Sequence, residues 1–259
     1  MSDEVKVEVD EGVGTVTIDR PARRNALSID TTRGLRSAFE SLSGDDDVRV
    51  VVLTGAGDAA FCAGGDLGDR SGGEGFVDMH ESRGEYAELL LEMNRCKSPI
   101  IARINGHALG GGLGLALSAD LAVAAADATL GTPEIKVGLF PMMVLAVMQR
   151  NIPRKSAMDM ILTGRRLSAD EASEIGMVND VVEADGLDAR VDERVDSITD
   201  FSPAVLAMGR RAYYETQDMS FEEALRSLHR SLTINTLTED AAEGISAFLE
   251  KRDPEWKGK

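Results

Sequence analysis

Val50-Val51-Val52-Leu53 is an unbroken apolar run inside Val48 to Leu53. A β-strand turns successive side chains to opposite faces, so such a run needs apolar cover on both sides, as a central strand does between layers of helix. That one segment restricts the chain to architectures with a doubly covered sheet. The segments around it agree. Val5-Lys6-Val7-Glu8-Val9 and Thr15-Val16-Thr17-Ile18-Asp19 alternate and read as two strands joined through Glu11-Gly12. Ser28 then caps an amphipathic helix with Ile29, Leu35, Ala38, Phe39 and Leu42 on one face. Further strands are expected at Ile100 to Ile104 and Leu121 to Ala125, with an apolar helix, Leu113 to Ser118, between them. Strand and helix therefore alternate, which implies an α/β core.

Beyond about Pro141 the pattern is almost purely helical. Ser168-Ala169-Asp170-Glu171 forms a capping box, Val178 to Val182 reads as a short strand, and helices are expected from about Leu187, Pro203, Ser220 and Glu239. Between Gly68 and Gly84 glycine and polar residues dominate, which predicts a surface loop leading into a helix with Tyr86, Leu89, Leu90 and Met93.

Composition narrows the chemistry. A formal net charge of -17 repels polyphosphate and argues against nucleic-acid binding; the spread of acidic residues fits a salt-adapted, halophilic surface as well as an ordinary acidic protein. Asp120 and Asp127 interrupt the most apolar region, so no membrane span is expected, and the acidic start lacks a signal-peptide pattern, which makes the cytoplasm the expected location. Cys62 and Cys96 form no CxxC pair, and His80, His107 and His229 stand apart, so neither a disulfide framework nor a metal site is expected.

Two glycine-rich turns each follow a buried strand: Ala59-Ala60-Phe61-Cys62-Ala63-Gly64-Gly65-Asp66-Leu67 and Asn105-Gly106-His107-Ala108-Leu109-Gly110-Gly111-Gly112-Leu113-Gly114. Glycine lets a backbone N–H approach a ligand closely, and one N–H from each turn would make an oxyanion hole for a thioester carbonyl. A single turn of this kind reads first as a tight connection; two of them, each at a strand end, point to a site. Gly55-Ala56-Gly57-Asp58-Ala59-Ala60 matches the dinucleotide pattern GxGxxA, but Phe61-Cys62-Ala63-Gly64-Gly65 cannot continue as the helix that pattern requires.

Together these segments resemble the enoyl-CoA hydratase/isomerase (crotonase) family over nearly the whole chain. The matching residues run from Asp19-Arg20-Pro21 and Asn25-Ala26-Leu27, through the two glycine turns, to Thr132-Pro133-Glu134-Ile135 and Gly138-Leu139. Later come Leu162-Thr163-Gly164-Arg165, Gly176-Met177-Val178-Asn179 and Glu250-Lys251-Arg252. Each is short; their order and spacing carry the resemblance. It implies an α/β, ClpP-like spiral of ββα units over residues 1–195, followed by a helical oligomerisation region over 196–259. It further implies assembly as a homotrimer or hexamer, an acyl-CoA substrate, and no cofactor apart from the coenzyme A of that substrate.

Carried onto this sequence, the resemblance makes Gly65 and Gly111 the oxyanion donors and Glu134 the acid/base. Arg24, Ala26, Ala63, Asp66 and Leu67 would line the coenzyme A path, with Phe248 and Lys251 near its nucleotide end, commonly across a subunit boundary. By itself a Glu after a Pro is most often a solvated turn residue. In an apolar setting such as Pro133, Ile135 and Val137 could supply, its pKa would rise toward the range of a useful base. The family's hydratases place a second glutamate where this chain has Gly114, so the expected activities are enoyl-CoA hydration or double-bond isomerisation, with isomerisation alone, or non-catalytic acyl-CoA binding, as alternatives. Asp66, Asp69, Glu74 and Asp78 are first of all solvated loop charges, with replacement acids as the alternative reading. The position used by dienoyl isomerases falls at Met142, which offers no carboxylate. Met142, Met143 and Met148 could line an acyl pocket or fill core, and Asp120 is expected to fix backbone rather than reach substrate.

Overall fold

The computed structural model describes residues 3–68 and 75–259. The apolar run becomes β3 (Val50–Gly55), buried along its whole length. It lies between β2 (Val13–Ile18) and β5 (Ile100–Ile104), parallel to both, with Val16 opposite Leu53 and Val52 opposite Ile101. Its alternating side chains feed two cores. Val51 and Leu53 join the main core with Leu35 and Phe39 of α1 (Ile29–Ser43), Leu89 and Met93 of α2 (Phe76–Arg95) and Leu113 of α3 (Gly111–Ser118). Val50 and Val52 pack on the opposite face with Ile101, Val123 and the Leu187, Val191 and Val195 face of α7 (Leu187–Thr199). This is the double cover that the run demands.

A six-stranded sheet has the order β1-β2-β3-β5-β7-β10, where β1 is Val5–Asp10, β7 Leu121–Ala125 and β10 Asp180–Val182. Only the β1/β2 hairpin in it is antiparallel. A second, four-stranded sheet is built from β4 (Ala60–Cys62), β6 (His107–Leu109), β8 (Thr129–Gly131) and β9 (Arg166–Ser168), in that order. The chain thus repeats one move. β3, β5 and β7 go to the first sheet, β4, β6 and β8 follow them into the second, and a helical segment closes each unit. That is a spiral of ββα units, and the glycine turns lie where the chain passes from β4 and β6 toward the helices.

After β8 come a 3-10 turn (Pro133–Val137), α4 (Met142–Asn151), α5 (Arg154–Thr163) and α6 (Ala169–Glu174), and after α7 come α8 (Pro203–Thr216), α9 (Phe221–Asn235) and α10 (Glu239–Glu250). Caps read from the sequence are made: Ser28 Oγ accepts from Thr31 N, and Ser168 and Glu171 form the reciprocal box. Arg210 on α8 donates to the Asp120 carboxylate at 2.7 Å and to the carbonyls of Met93, Asn94 and Cys96, which fastens α8 onto the core. Asp120 also accepts from Ile100 N and Tyr214 Oη, the backbone-fixing role expected of it. No helix among the described residues is long and apolar enough to cross a membrane.

Two expectations change. The loop foreseen over Gly68 to Gly84 is helical from Phe76, where Asp78 Oδ2 accepts the Gly75 N–H and starts α2. Local polarity misled there, because Gly84 has open space around it and costs the helix little beyond propensity. Asp69 and Glu74 lie outside the described residues. The second sheet was not foreseen, since strands of three residues inside glycine-rich segments carry no readable alternation.

Candidate active site

Two buried asparagines set the frame. Asn25, with φ +55, donates to the carbonyls of Ala56 (3.0 Å) and Ala60 (2.7 Å) and accepts from Arg20 N. Asn105 donates to Gly55 O (2.8 Å) and Gly57 O (2.6 Å). The segment after Arg20 is thereby held against the first glycine turn, where Ala63 N donates to Arg24 O, Leu27 N to Gly64 O and Asp66 N to Leu27 O. Arg20 reinforces this contact with bonds to Ala26 O (2.5 Å) and Asp66 Oδ2 (3.0 Å). The segments carrying Arg24 and Ala26 and those carrying Ala63, Gly65, Asp66 and Leu67 consequently come together. Burial pushes the Asp66 carboxyl up, but the Gly68 N–H and Arg20 outweigh it and hold the group below its ordinary range. Its side chain is thus engaged within the loop, and that of Asp78 accepts the Gly75 N–H at the start of α2, so both serve local structure.

In the parallel bridge of Leu27 with Gly65, the bonds are made by the Gly64 carbonyl and the Asp66 N–H, so the intervening Gly65 N–H points the other way. Gly111 is the first residue of α3, where a helix leaves its N–H groups unpaired. Neither N–H has an acceptor among the described residues. The turns touch: a Cβ on Gly64, which has φ +94, would lie 2.8 Å from Leu109 O and 3.4 Å from Gly111 N. Two amides without acceptors, on turns that touch at Gly64 and Gly111, therefore lie near one helix N-terminus.

Glu134 lies beside them. Gly110 N donates to Gly131 O at 2.8 Å, which locks the second turn to the end of β8, and the chain then enters the 3-10 turn that carries Glu134. A Cβ on Gly110 would lie 2.7 Å from Glu134 Oε1, so only glycine fits between helix and carboxylate. Glu134 Oε2 is buried and has no hydrogen-bond partner among the described residues. Burial raises the Glu134 carboxyl above its ordinary value, against a smaller opposing effect of its own backbone N–H. An unsatisfied buried carboxylate oxygen costs stability, and such groups mark sites where a ligand supplies the missing partner.

The family profile for enoyl-CoA hydratase/isomerase matches residues 8–259. The chain belongs to the enoyl-CoA hydratase/isomerase (crotonase) family. A carnitinyl-CoA dehydratase of Salmonella arizonae is 37% identical, covering 100% of each chain. A crystal structure of an enoyl-CoA hydratase from Mycobacterium smegmatis superposes with a TM-score of 0.94 at 37% identity, covering 98% of each chain. One from Bacillus anthracis gives 0.93 at 31% identity, covering 99% of this chain and 100% of that one. This crotonase-family acyl-CoA enzyme therefore has the fold that its motifs imply.

Two of the expected binding residues do not join the cluster within one chain. Phe248 is 83% exposed on α10 and Lys251 caps that helix with φ +57; α10 packs on α8, and no hydrogen bond or ion pair ties either side chain to the glycine turns. Arg24 is exposed beside Ala63, and neither Arg24 nor Lys251 forms an ion pair among the described residues. Met148 is core, whereas Met142 and Met143 are exposed. Cys62 is a buried thiol that desolvation pushes up to about 12, which leaves it unreactive.

Sequence reasoning placed Tyr86 on the apolar face of α2 and gave it no other part. The structure turns its ring inward against Gly111 and Gly114, with Oη donating to Gly111 O at 2.6 Å. The signal was present but indirect: a glycine at residue 114 of an otherwise apolar helix leaves a volume that something else must fill.

Proposed function

We propose that this enzyme moves a proton between carbons of an enoyl-CoA thioester, converting a 3-enoyl-CoA into the conjugated 2-enoyl-CoA. Glu134 removes a proton from Cα, and the electron pair spreads over the dienolate to the thioester oxygen. The N–H groups of Gly65 and Gly111 stabilise that oxygen, and Glu134 returns the proton to Cγ, which regenerates the carboxylate. The observation that carries this reading is the buried, unpartnered Oε2 of Glu134 beside two unpaired amides. One oxyanion donor is worth on the order of 10²-fold or more in rate and one acid/base group roughly 10² to 10⁴. Arg24, Ala26, Ala63, Asp66 and Leu67 bind the coenzyme A portion, mostly through backbone atoms in the last three. Phe248 and Lys251 complete its nucleotide end from a neighbouring subunit of a homotrimer or hexamer. The exposed apolar row of α9 and its flanks, Phe221, Leu225, Leu228 and Leu232, supports such assembly through residues 196–259.

A second reading, addition or removal of water across Cα and Cβ, is favoured by the relatives, one a dehydratase and others enoyl-CoA hydratases. It asks more of the site, because water needs a second group to hold it, and residue 114 is glycine. Incubation with crotonyl-CoA and separately with a 3-enoyl-CoA, followed by mass spectrometry and ultraviolet absorbance, separates the two. Isomerisation conjugates the 3-enoyl substrate without a mass change. Efficient hydration of crotonyl-CoA together with an inert 3-enoyl-CoA would overturn the proposal, and no conversion of either would reduce the chain to a binder.

A further inference from the structure

Gly114 stands in the first turns of α3, one helical turn beyond Gly111 and on the same side. A Cβ built there would lie 2.1 Å from Tyr86 Oη, far inside any real contact, and 3.3 Å from Val144 Cγ2. A Cβ on Gly111 would lie 3.5 Å from the Tyr86 ring and 3.2 Å from Leu27 Cδ1. The phenol therefore occupies the space that any side chain at residue 114 would need, and it is fixed there by its bond to Gly111 O. Leu89, Leu90 and Met93 seat α2 in the core, so the backbone that carries Tyr86 is held, and the ring leaves this place only by turning about its own side-chain bonds and giving up the bond to Gly111 O.

We infer that Tyr86 is the residue that decides which reaction this site performs: its ring fills the volume over the first turn of α3, keeps a second functional group and water out, and leaves Glu134 to work alone. This rests on Glu134 being the acid/base. The geometry has a chemical consequence. Where the ring excludes water, a proton held by Glu134 goes back to the substrate, whereas water at the same place would exchange with it or add to the double bond. Desolvation, with the nearby Cys62 and Glu134 adding to it, raises the Tyr86 hydroxyl well above its ordinary range, so the phenol stays neutral and cannot act as a second base. Its hydroxyl proton is committed to Gly111 O, which makes volume rather than acidity its contribution. Tyr86 is in this sense a specificity-determining residue.

The test uses the full chain with a 3-enoyl-CoA in D₂O and with crotonyl-CoA in water. The unaltered protein is expected to return mostly protium to Cγ and to hydrate crotonyl-CoA poorly. Tyr86→Ala opens the volume and should raise deuterium at Cγ several-fold. Tyr86→Phe keeps the ring and should leave the deuterium content near that of the unaltered protein. Gly114→Glu alone collides with Oη and should lose both stability and turnover. Combining it with Tyr86→Ala should restore folding and raise crotonyl-CoA hydration at least tenfold over either single variant.

The inference is overturned if Tyr86→Ala leaves the deuterium content unchanged, if Tyr86→Phe raises it as much as Tyr86→Ala, or if the double variant is no more stable than Gly114→Glu alone. Thermal melts of all four variants show whether each is folded, so loss of structure is not mistaken for loss of chemistry. The underlying role of Glu134 is tested apart from this. If Glu134→Gln keeps its turnover, the acid/base assignment fails whatever the Tyr86 variants do; if it loses turnover while the Tyr86 variants behave like the unaltered protein, only the inference about Tyr86 fails.

Discussion

Replacing Gly110 by alanine is the sharpest single perturbation of the site. Gly110 sits at φ +53, and a Cβ there would meet Glu134 Oε1 at 2.7 Å, where ordinary contact begins at 3.4 Å. The carboxylate must give way by about 0.7 Å, since the neighbouring Gly110 N is anchored to Gly131 O. Backbone strain of this kind costs roughly 1–3 kcal/mol. At about 2–4 °C per kcal/mol in a chain of this size, the melting temperature should fall by several degrees. A misplacement approaching 1 Å costs on the order of 10²-fold in rate, so kcat should drop between about tenfold and a hundredfold. Gly176→Ala is the control, because Gly176 has φ +79 with no atom within 4 Å of the added methyl group. It should lose comparable stability and keep its kcat. The assay is the rise in absorbance as a 3-enoyl-CoA becomes conjugated, run beside thermal melts of both variants. A Gly110→Ala protein that turns over as fast as the unaltered one would refute the placement of the reacting carbons against this carboxylate.

Two other outcomes follow from charge. Glu134 acts as a base only when ionised, and burial raises its carboxyl above the ordinary 4.5, so kcat/KM should fall with decreasing pH through that raised value. A profile falling only around or below 4.5 would contradict this. The same shift has a stability sign: a folded-state value raised above the unfolded one means that the folded form holds its proton more tightly, so this group's contribution declines as pH climbs from about the unfolded value through the folded one. Arg210→Ala would take a buried guanidinium from the half-buried Asp120 carboxylate and from three carbonyls; breaking a fully buried pair costs about 3–5 kcal/mol, and the lower end applies here because Asp120 is partly solvated and keeps the Ile100 N–H and the Tyr214 hydroxyl. A loss on the order of 10 °C in melting temperature is expected, and no change would show that α8 is held by its apolar contacts alone.

The periodic parts of the chain were legible because their physics is local. Val50 to Leu53 announces a doubly covered strand, and Ser28 and Ser168 announce helix starts through caps that need only neighbouring residues. The glycine turns were recognisable as places where backbone must come close, and Gly64 and Gly110 do come close, to Leu109 O and to Glu134. The second sheet was hidden, since three-residue strands such as Ala60–Cys62 have no period to detect. Asn25 and Asn105, which hold the frame by bonds spanning 30 to 50 residues, carry no local pattern that separates them from loop asparagines. Tyr86 was read as a core residue because helical spacing cannot distinguish a ring that fills core from one that fills a site. Its role follows from Gly114, twenty-eight positions away in sequence and directly against it in space.

The most direct measurement is Glu134→Gln, an almost isosteric change that removes the titratable oxygen. Binding of a non-reactive acyl-CoA by calorimetry should be nearly unchanged, because the coenzyme A contacts lie elsewhere. Turnover of a 3-enoyl-CoA should fall by roughly 10² to 10⁴-fold, and the melting temperature at pH 7 should rise, since a buried charge is gone. Turnover within a few-fold of the unaltered enzyme would contradict the account at its centre, because the proton would then be travelling through some group other than Glu134.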